Sequence, residues 1–141
     1  MSRATRQWHQ VREAQGAVLD MDYLGESMDR WEWPLHFIDF ETATPALPYS
    51  AGRAPFELIA FQFSHHVLHA DGVLEHRSEF LQTTQGECPN GAFLNALGRA
   101  LGPGDDLGED RAKGTVFRWA AHENTVLAAL LKEVASDTGC R

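Results

Sequence analysis

Cysteine is scarce in this chain: Cys88 and Cys140 are the only two in 141 residues. They are too few and too far apart to suggest a disulfide framework or a paired-cysteine zinc motif, so free thiols and a reducing, cytoplasmic setting are expected. Positive charge is scarce too. Twelve Lys and Arg stand against 20 Asp and Glu, a net charge of −8, which argues against a broad basic surface for nucleic acid. No apolar run approaches the roughly 20 residues of a membrane-spanning helix. The first ten residues, MSRATRQWHQ, lack the apolar core of a secretory signal. What is present, 43% hydrophobic and 23% charged residues, is ordinary for a soluble domain large enough to bury a core.

Against that background one segment stands out, His-Phe-Ile-Asp-Phe-Glu-Thr at 36–42. Side chains at i and i+2 of a β-strand share a face. Asp39 and Glu41 would stand side by side, with Ile38 and Phe40 turned to the buried face. Adjacent carboxylates need water, protonation, a cation or a metal ion to compensate them. Two readings follow: a divalent-metal site for cutting phosphodiesters, or a strand whose polar face simply meets water.

The flanking pattern gives the organisation. Residues 1–33 form an N-terminal flanking segment in which Trp8, Val11, Ala14, Val18 and Leu19 suggest one short helix, with Arg3, Arg6 and Arg12 making it basic. Pro34 precedes the first strand. The stretch TATPALPYSAGRAPFE is a loop by its prolines and glycine, leaving the acidic pair directly and able to form one lip of a cleft. LIAFQFSHHVLH and GVLEHRSEF read as two strands joined at Asp71-Gly72, a dipeptide that fits a turn with positive φ at both positions. A helix follows, with Asn90 as its cap and Phe93, Leu94, Leu97 and Leu101 on one face. The acidic tract 105–114 reads as a loop. GTVFRWA gives a fourth strand, with Trp119 in the core, and His122–Val134 a second helix. The order β-β-β-α-β-α is α/β and matches the opening of a ribonuclease-H-like mixed sheet. A right-handed crossover would set strand four beside strand one.

Residues leaving strand four then approach the acidic pair. Glu123 is the first acid there and a candidate third carboxylate, although an acid in a first helical turn is also favoured by the helix dipole alone. His122 precedes it and is a candidate acid–base helper. Oxygen ligands without cysteine suit Mg2+ or Mn2+. Two such ions would add four positive charges locally, so the overall negative charge does not exclude a nuclease. His65, His66, His69 and His76 cluster at the hairpin. His65 and His69 would lie about 13 Å apart along one strand, too far to share an ion. His66 and His76 can pair across the hairpin, and a histidine zinc site is a weaker reading.

With these residues in hand, the chain resembles a bacterial family known as domain of unknown function 2779, grouped with ribonuclease-H-like exonucleases. The resemblance covers roughly residues 33 to 131 and rests on HFIDFET, PYSAGRAPF, IAFQFSHHVL, DGVLEH and WAAHENTVL in that order. It implies a metal-dependent 3′–5′ exonuclease-like domain acting on DNA or RNA. Asp39 and Glu41 match the first acidic motif of DEDD-type exonucleases, and Glu123 stands where the second carries aspartate. The asparagine usual before that acid is not evident in WAAHE, and the last acidic motif has no counterpart; only Glu133 and Asp137 follow. A partial domain is therefore expected, and with it an alternative: a non-catalytic nucleic-acid-binding or assembly module that retains the fold.

Overall fold

The computed structural model describes residues 1–102 and 113–136. The acidic tract at 105–112 and Asp137 lie outside the described residues. The chain divides into two compact units, Met1–Trp31 and Glu32 onward.

The first unit holds two helices rather than one. Helix α1 (Arg3–Ala14) starts where the Ser2 hydroxyl accepts from Thr5 N–H, and ends at Gln15, in the left-handed region. Helix α2 (Met21–Met28) starts at Asp20, whose carboxylate accepts from Tyr23 N–H. Asp20 is an N-cap residue type, and its cap outweighs the helix-weakening Gly25. Neither helix buries a residue.

The second unit is a mixed α/β structure. Strands β1 (Leu35–Ala43), β2 (Ile59–Leu68), β3 (Leu74–Leu81) and β4 (Thr115–Arg118) form one sheet in the order β3-β2-β1-β4. The pairs β1–β2 and β2–β3 are antiparallel, and β1–β4 is parallel. Helices α3 (Asn90–Leu101) and α4 (His122–Ala135) complete it. Alternation sets the two faces of the sheet. Ile38, Phe40, Ala60 and Phe63 join Phe93 and Leu97 of α3 and Val126 and Leu130 of α4 in a single core cluster. The Phe93 ring meets Phe40, Phe63 and Phe80 edge-on at 5.1–5.9 Å, the favoured aromatic geometry. The opposite face of β1 carries Phe37, Asp39 and Glu41, all exposed.

Several local expectations are corrected. The β2–β3 turn has positive φ only at Gly72; Asp71 instead uses its carboxylate to accept from Val73 N–H at 3.0 Å, and the His69 carbonyl accepts from Gly72 N–H. Asn90 does not cap α3. Its Oδ1 accepts from Ala60 N–H and its amide donates to the Leu58 carbonyl, pinning the start of α3 to β2. Trp119 is not in the core, because β4 ends at Arg118 and leaves the indole 95% exposed. Cys88 is disulfide-bonded rather than free; a low cysteine count excludes a disulfide framework, not a single bond. Among the described residues no helix is long and apolar enough to cross a membrane.

Candidate metal centre and adjoining cavity

Strand β1 does what its sequence alternation predicts for the acidic pair. Asp39 and Glu41 point to the same open face, opposite Ser64 and Gln62 of β2. Among the described residues neither carboxylate has a hydrogen-bond or ion-pair partner. Two unit charges about 7 Å apart repel by less than ~1 kcal/mol in water. Solvent therefore suffices to offset this repulsion, and the pair stands ready to take a cation without needing one to fold.

Glu123 does not join them. It lies in the first turn of α4 and is 2% exposed, on the same helix face as Val126 and Leu130, which pack into the core cluster. Asp39 and Glu41 leave β1 on the other side. The Glu123 Oε2 is buried with no hydrogen-bond partner. His122 does reach the end of β1, but its Nε2 lies 3.2 Å from the Thr42 hydroxyl, on the side away from the acids. Among the described residues no three of His, Cys, Asp and Glu are grouped closely enough to hold a metal ion. The pair thus fits an ion held by one or two carboxylates and completed by water and substrate oxygens, a usual mode for Mg2+. A closed carboxylate triad including Glu123 does not fit this arrangement.

The open face around the pair is aromatic. Phe37 stacks on Phe117 of β4 at 5.3 Å, and His66 stacks on His76 at 4.6 Å across the hairpin. The latter is the cross-hairpin pairing expected of those histidines, and it recruits no third ligand among the described residues.

Beyond Glu41 the same face runs into a cavity of about 610 Å3, lined by Ala43, the loop residues Pro48 and Tyr49, the start of β2, and the segment after β3. The loop expected to form a lip does so. Its position depends on a bulge: Glu41 pairs with Gln62 but Thr42 with Ala60, leaving Phe61 outside the pairing and free to line the cavity. Bulges re-aim side chains in this way beside functional sites.

Sequence reading missed two polar networks on the buried side. His36 and His65 are 2% and 0% exposed. His36 Nδ1 lies 2.9 Å from His65 Nε2, His36 Nε2 lies 3.1 Å from the Lys113 carbonyl, and His65 Nδ1 lies 3.0 Å from the Ser78 hydroxyl. A carbonyl only accepts, so His36 Nε2 carries a proton. With both rings neutral, His65 Nε2 then donates to His36 Nδ1, and Ser78 donates to His65 Nδ1. Burial is the main reason that the His65 pKa falls to about 4, aided by His36 and by the positive charge of Arg77. Gly114 makes room for this chain: a Cβ there would stand 2.0 Å from the Pro34 carbonyl oxygen and 3.1 Å from the His36 ring. The signal was available, since His36 and His65 share strand parity with Ile38 and Phe63. The second network joins Arg53 of the loop to Glu133 of α4, where Nη1 and Oε1 are 2.5 Å apart, with Asn90 donating to Glu133 Oε2 at 3.0 Å. Glu133 is thereby committed to structure.

No curated protein and no solved structure matches this chain. A family model does, over residues 36–138, a span holding the acidic strand, the cavity and the start of α4. The chain belongs to the family described as domain of unknown function DUF2779.

Proposed function

We propose that this chain is a metal-dependent nuclease domain of the 3′–5′ exonuclease-like kind, hydrolysing phosphodiester bonds of DNA or RNA. One observation carries the reading: two ionisable carboxylates side by side on an open strand face, flanked by the neutral Ser64 and Gln62, with no cation beside them among the described residues. The strand order β3-β2-β1-β4, with β4 parallel to β1, supports a ribonuclease-H-like sheet with its ligand site beyond the carboxyl end of β1. Asp39 and Glu41 would hold Mg2+ or Mn2+ and orient it toward a phosphate. Such an ion supplies positive charge against the phosphate oxygens and makes water a better nucleophile. The Phe37–Phe117 stack, with Phe37 exposed and Phe117 half-buried, gives bases or sugars an apolar bed on the same face. Glu123 and His122 hold a lesser place: their position at the start of α4 recommends them, while the geometry gives them no common face with the pair. A cytoplasmic setting belongs to the proposal, and the disulfide at Cys88 weighs against it.

A second reading is a non-catalytic nucleic-acid-binding module. The two aromatic stacks on the open face and the lack of a third carboxylate beside the pair, among the described residues, favour it. Millimolar Mn2+ is expected to raise the melting temperature of the full chain, with Asp39→Ala abolishing the rise and Glu123→Gln leaving it. At 100 times the dissociation constant, binding adds ~2.7 kcal/mol, a shift of about 9 °C for a chain of this size. An identical shift in wild type and Asp39→Ala removes the metal site. Binding of single-stranded nucleic acid in EDTA, with no response to metal, leaves the binding module.

A further inference from the structure

We infer that the cavity at the end of β1 is a nucleobase pocket, which seats one base of the substrate and so sets its neighbouring phosphodiester over Asp39 and Glu41. The nuclease reading supplies the ligand class; the cavity itself supplies the chemistry. Ala43 lies on the same face as Glu41, two residues further along the strand, so the cavity begins about 7 Å from Glu41, the nearer acid of the pair. Its volume of about 610 Å3 is within the range of small-molecule sites.

The lining selects among possible ligands. Phe61 and Tyr49 are aromatic, and Tyr49 is 66% exposed. A flat ring system can stack against such groups, a contact that any base can make. Gln82 presents a side-chain amide, which offers a donor beside an acceptor, as the edges of the bases do. That amide is already oriented: its nitrogen donates to Glu87 at 3.0 Å, which leaves the carbonyl oxygen and a second N–H for a ligand. Gln85 adds another amide. Among the described residues the lining holds no Lys, Arg or His, and its one charge is the acid Glu87. A phosphate or a sugar acid finds no counter-charge there, whereas a neutral planar heterocycle finds aromatic surface and amides. The phosphate is left to the carboxylate pair and its ion.

The test uses the full chain in EDTA, with adenosine and uridine as probes and ribose 5-phosphate as the control, followed through the glutamine side-chain amide signals in NMR. The nucleosides should shift those signals and ribose 5-phosphate should not. Tyr49→Ala and Gln82→Ala should each weaken nucleoside binding at least tenfold, and Trp119→Ala, an exposed aromatic outside the cavity, should not weaken it. The inference is overturned by unmoved amide signals, by tight ribose 5-phosphate binding, or by equal losses in Tyr49→Ala and Trp119→Ala. The two readings also fail separately. Nucleoside binding in a chain indifferent to Mn2+ keeps the pocket and removes the nuclease; Mn2+ binding at Asp39 with no nucleoside binding does the reverse.

Discussion

Glu133→Ala is expected to destabilise the fold by about 3 kcal/mol, read as a lowered urea midpoint with an unchanged slope. The Arg53 side chain is only 7% exposed, and Glu133 is its closest ion-pair partner. Removing one member of a buried pair leaves the other charge uncompensated, which typically costs about 3–5 kcal/mol. The low end applies because Glu57 Oε2 remains 2.9 Å from Arg53 Nε and the Leu58 carbonyl still accepts from Nη2. Asn90 also loses a partner, while keeping its bonds to Ala60 and Leu58. Arg53→Met combined with Glu133→Leu should cost much less than the two single changes summed, since hydrophobic replacement removes both desolvation penalties. Additive losses would show that the two residues act separately. The same network explains why Glu133 is unsuited to the metal site: its oxygens already serve Arg53 and Asn90.

Acid should weaken the protein through His65. The ring titrates at about 4 in the folded chain, against 6.5 when unperturbed. As pH falls below 6.5 the unfolded chain takes up this proton first, so the unfolded state gains. The contribution is whole above pH 6.5, declines between about pH 6.5 and 4, and is spent below. That gap corresponds to about 3 kcal/mol. In His65→Gln, stability at pH 7 is lower, because the bonds to His36 and Ser78 are altered, but its fall between pH 6.5 and 4 should be shallower by that amount. Carboxylates such as Glu75, whose pKa is held down to about 2 by hydrogen bonds from Arg77 and His69, lose their contribution at lower pH in both proteins. The difference between the two curves isolates His65. Parallel curves would contradict the assignment, as would a histidine nitrogen spectrum in which His65 is charged at pH 6.

Much of the sheet is legible from residue order. The parity of Ile38 and Phe40 against Asp39 and Glu41 is a local property, and it survives folding because Phe93, Val126 and Leu130 cover one face only. The parallel pairing of β4 with β1 follows from a helix separating two strands, the condition for a crossover. Long-range pairings are not legible. Nothing local in PYSAGRAPF announces that Arg53 meets Glu133, 80 positions away, or that Asn90 serves β2 rather than its own helix. The turn lies at Asp71-Gly72 as the dipeptide indicates, but its geometry differs, because Asp can close a turn through its side chain as well as by positive φ. Glu123 earns its candidacy from its place in the chain alone. The face of α4 that it occupies is equally readable, three and seven residues before Val126 and Leu130, and that spacing points inward.

The central claim is that Asp39 and Glu41 form a nuclease site, and hydrolysis tests it most directly. A single-stranded DNA or RNA oligonucleotide labelled at its 5′ end, incubated with the full chain and Mg2+ or Mn2+, should shorten stepwise from its 3′ end. EDTA, Asp39→Ala and Glu41→Ala should each stop the shortening. No cleavage at any metal concentration, or equal cleavage by the wild type and both variants, would contradict the account.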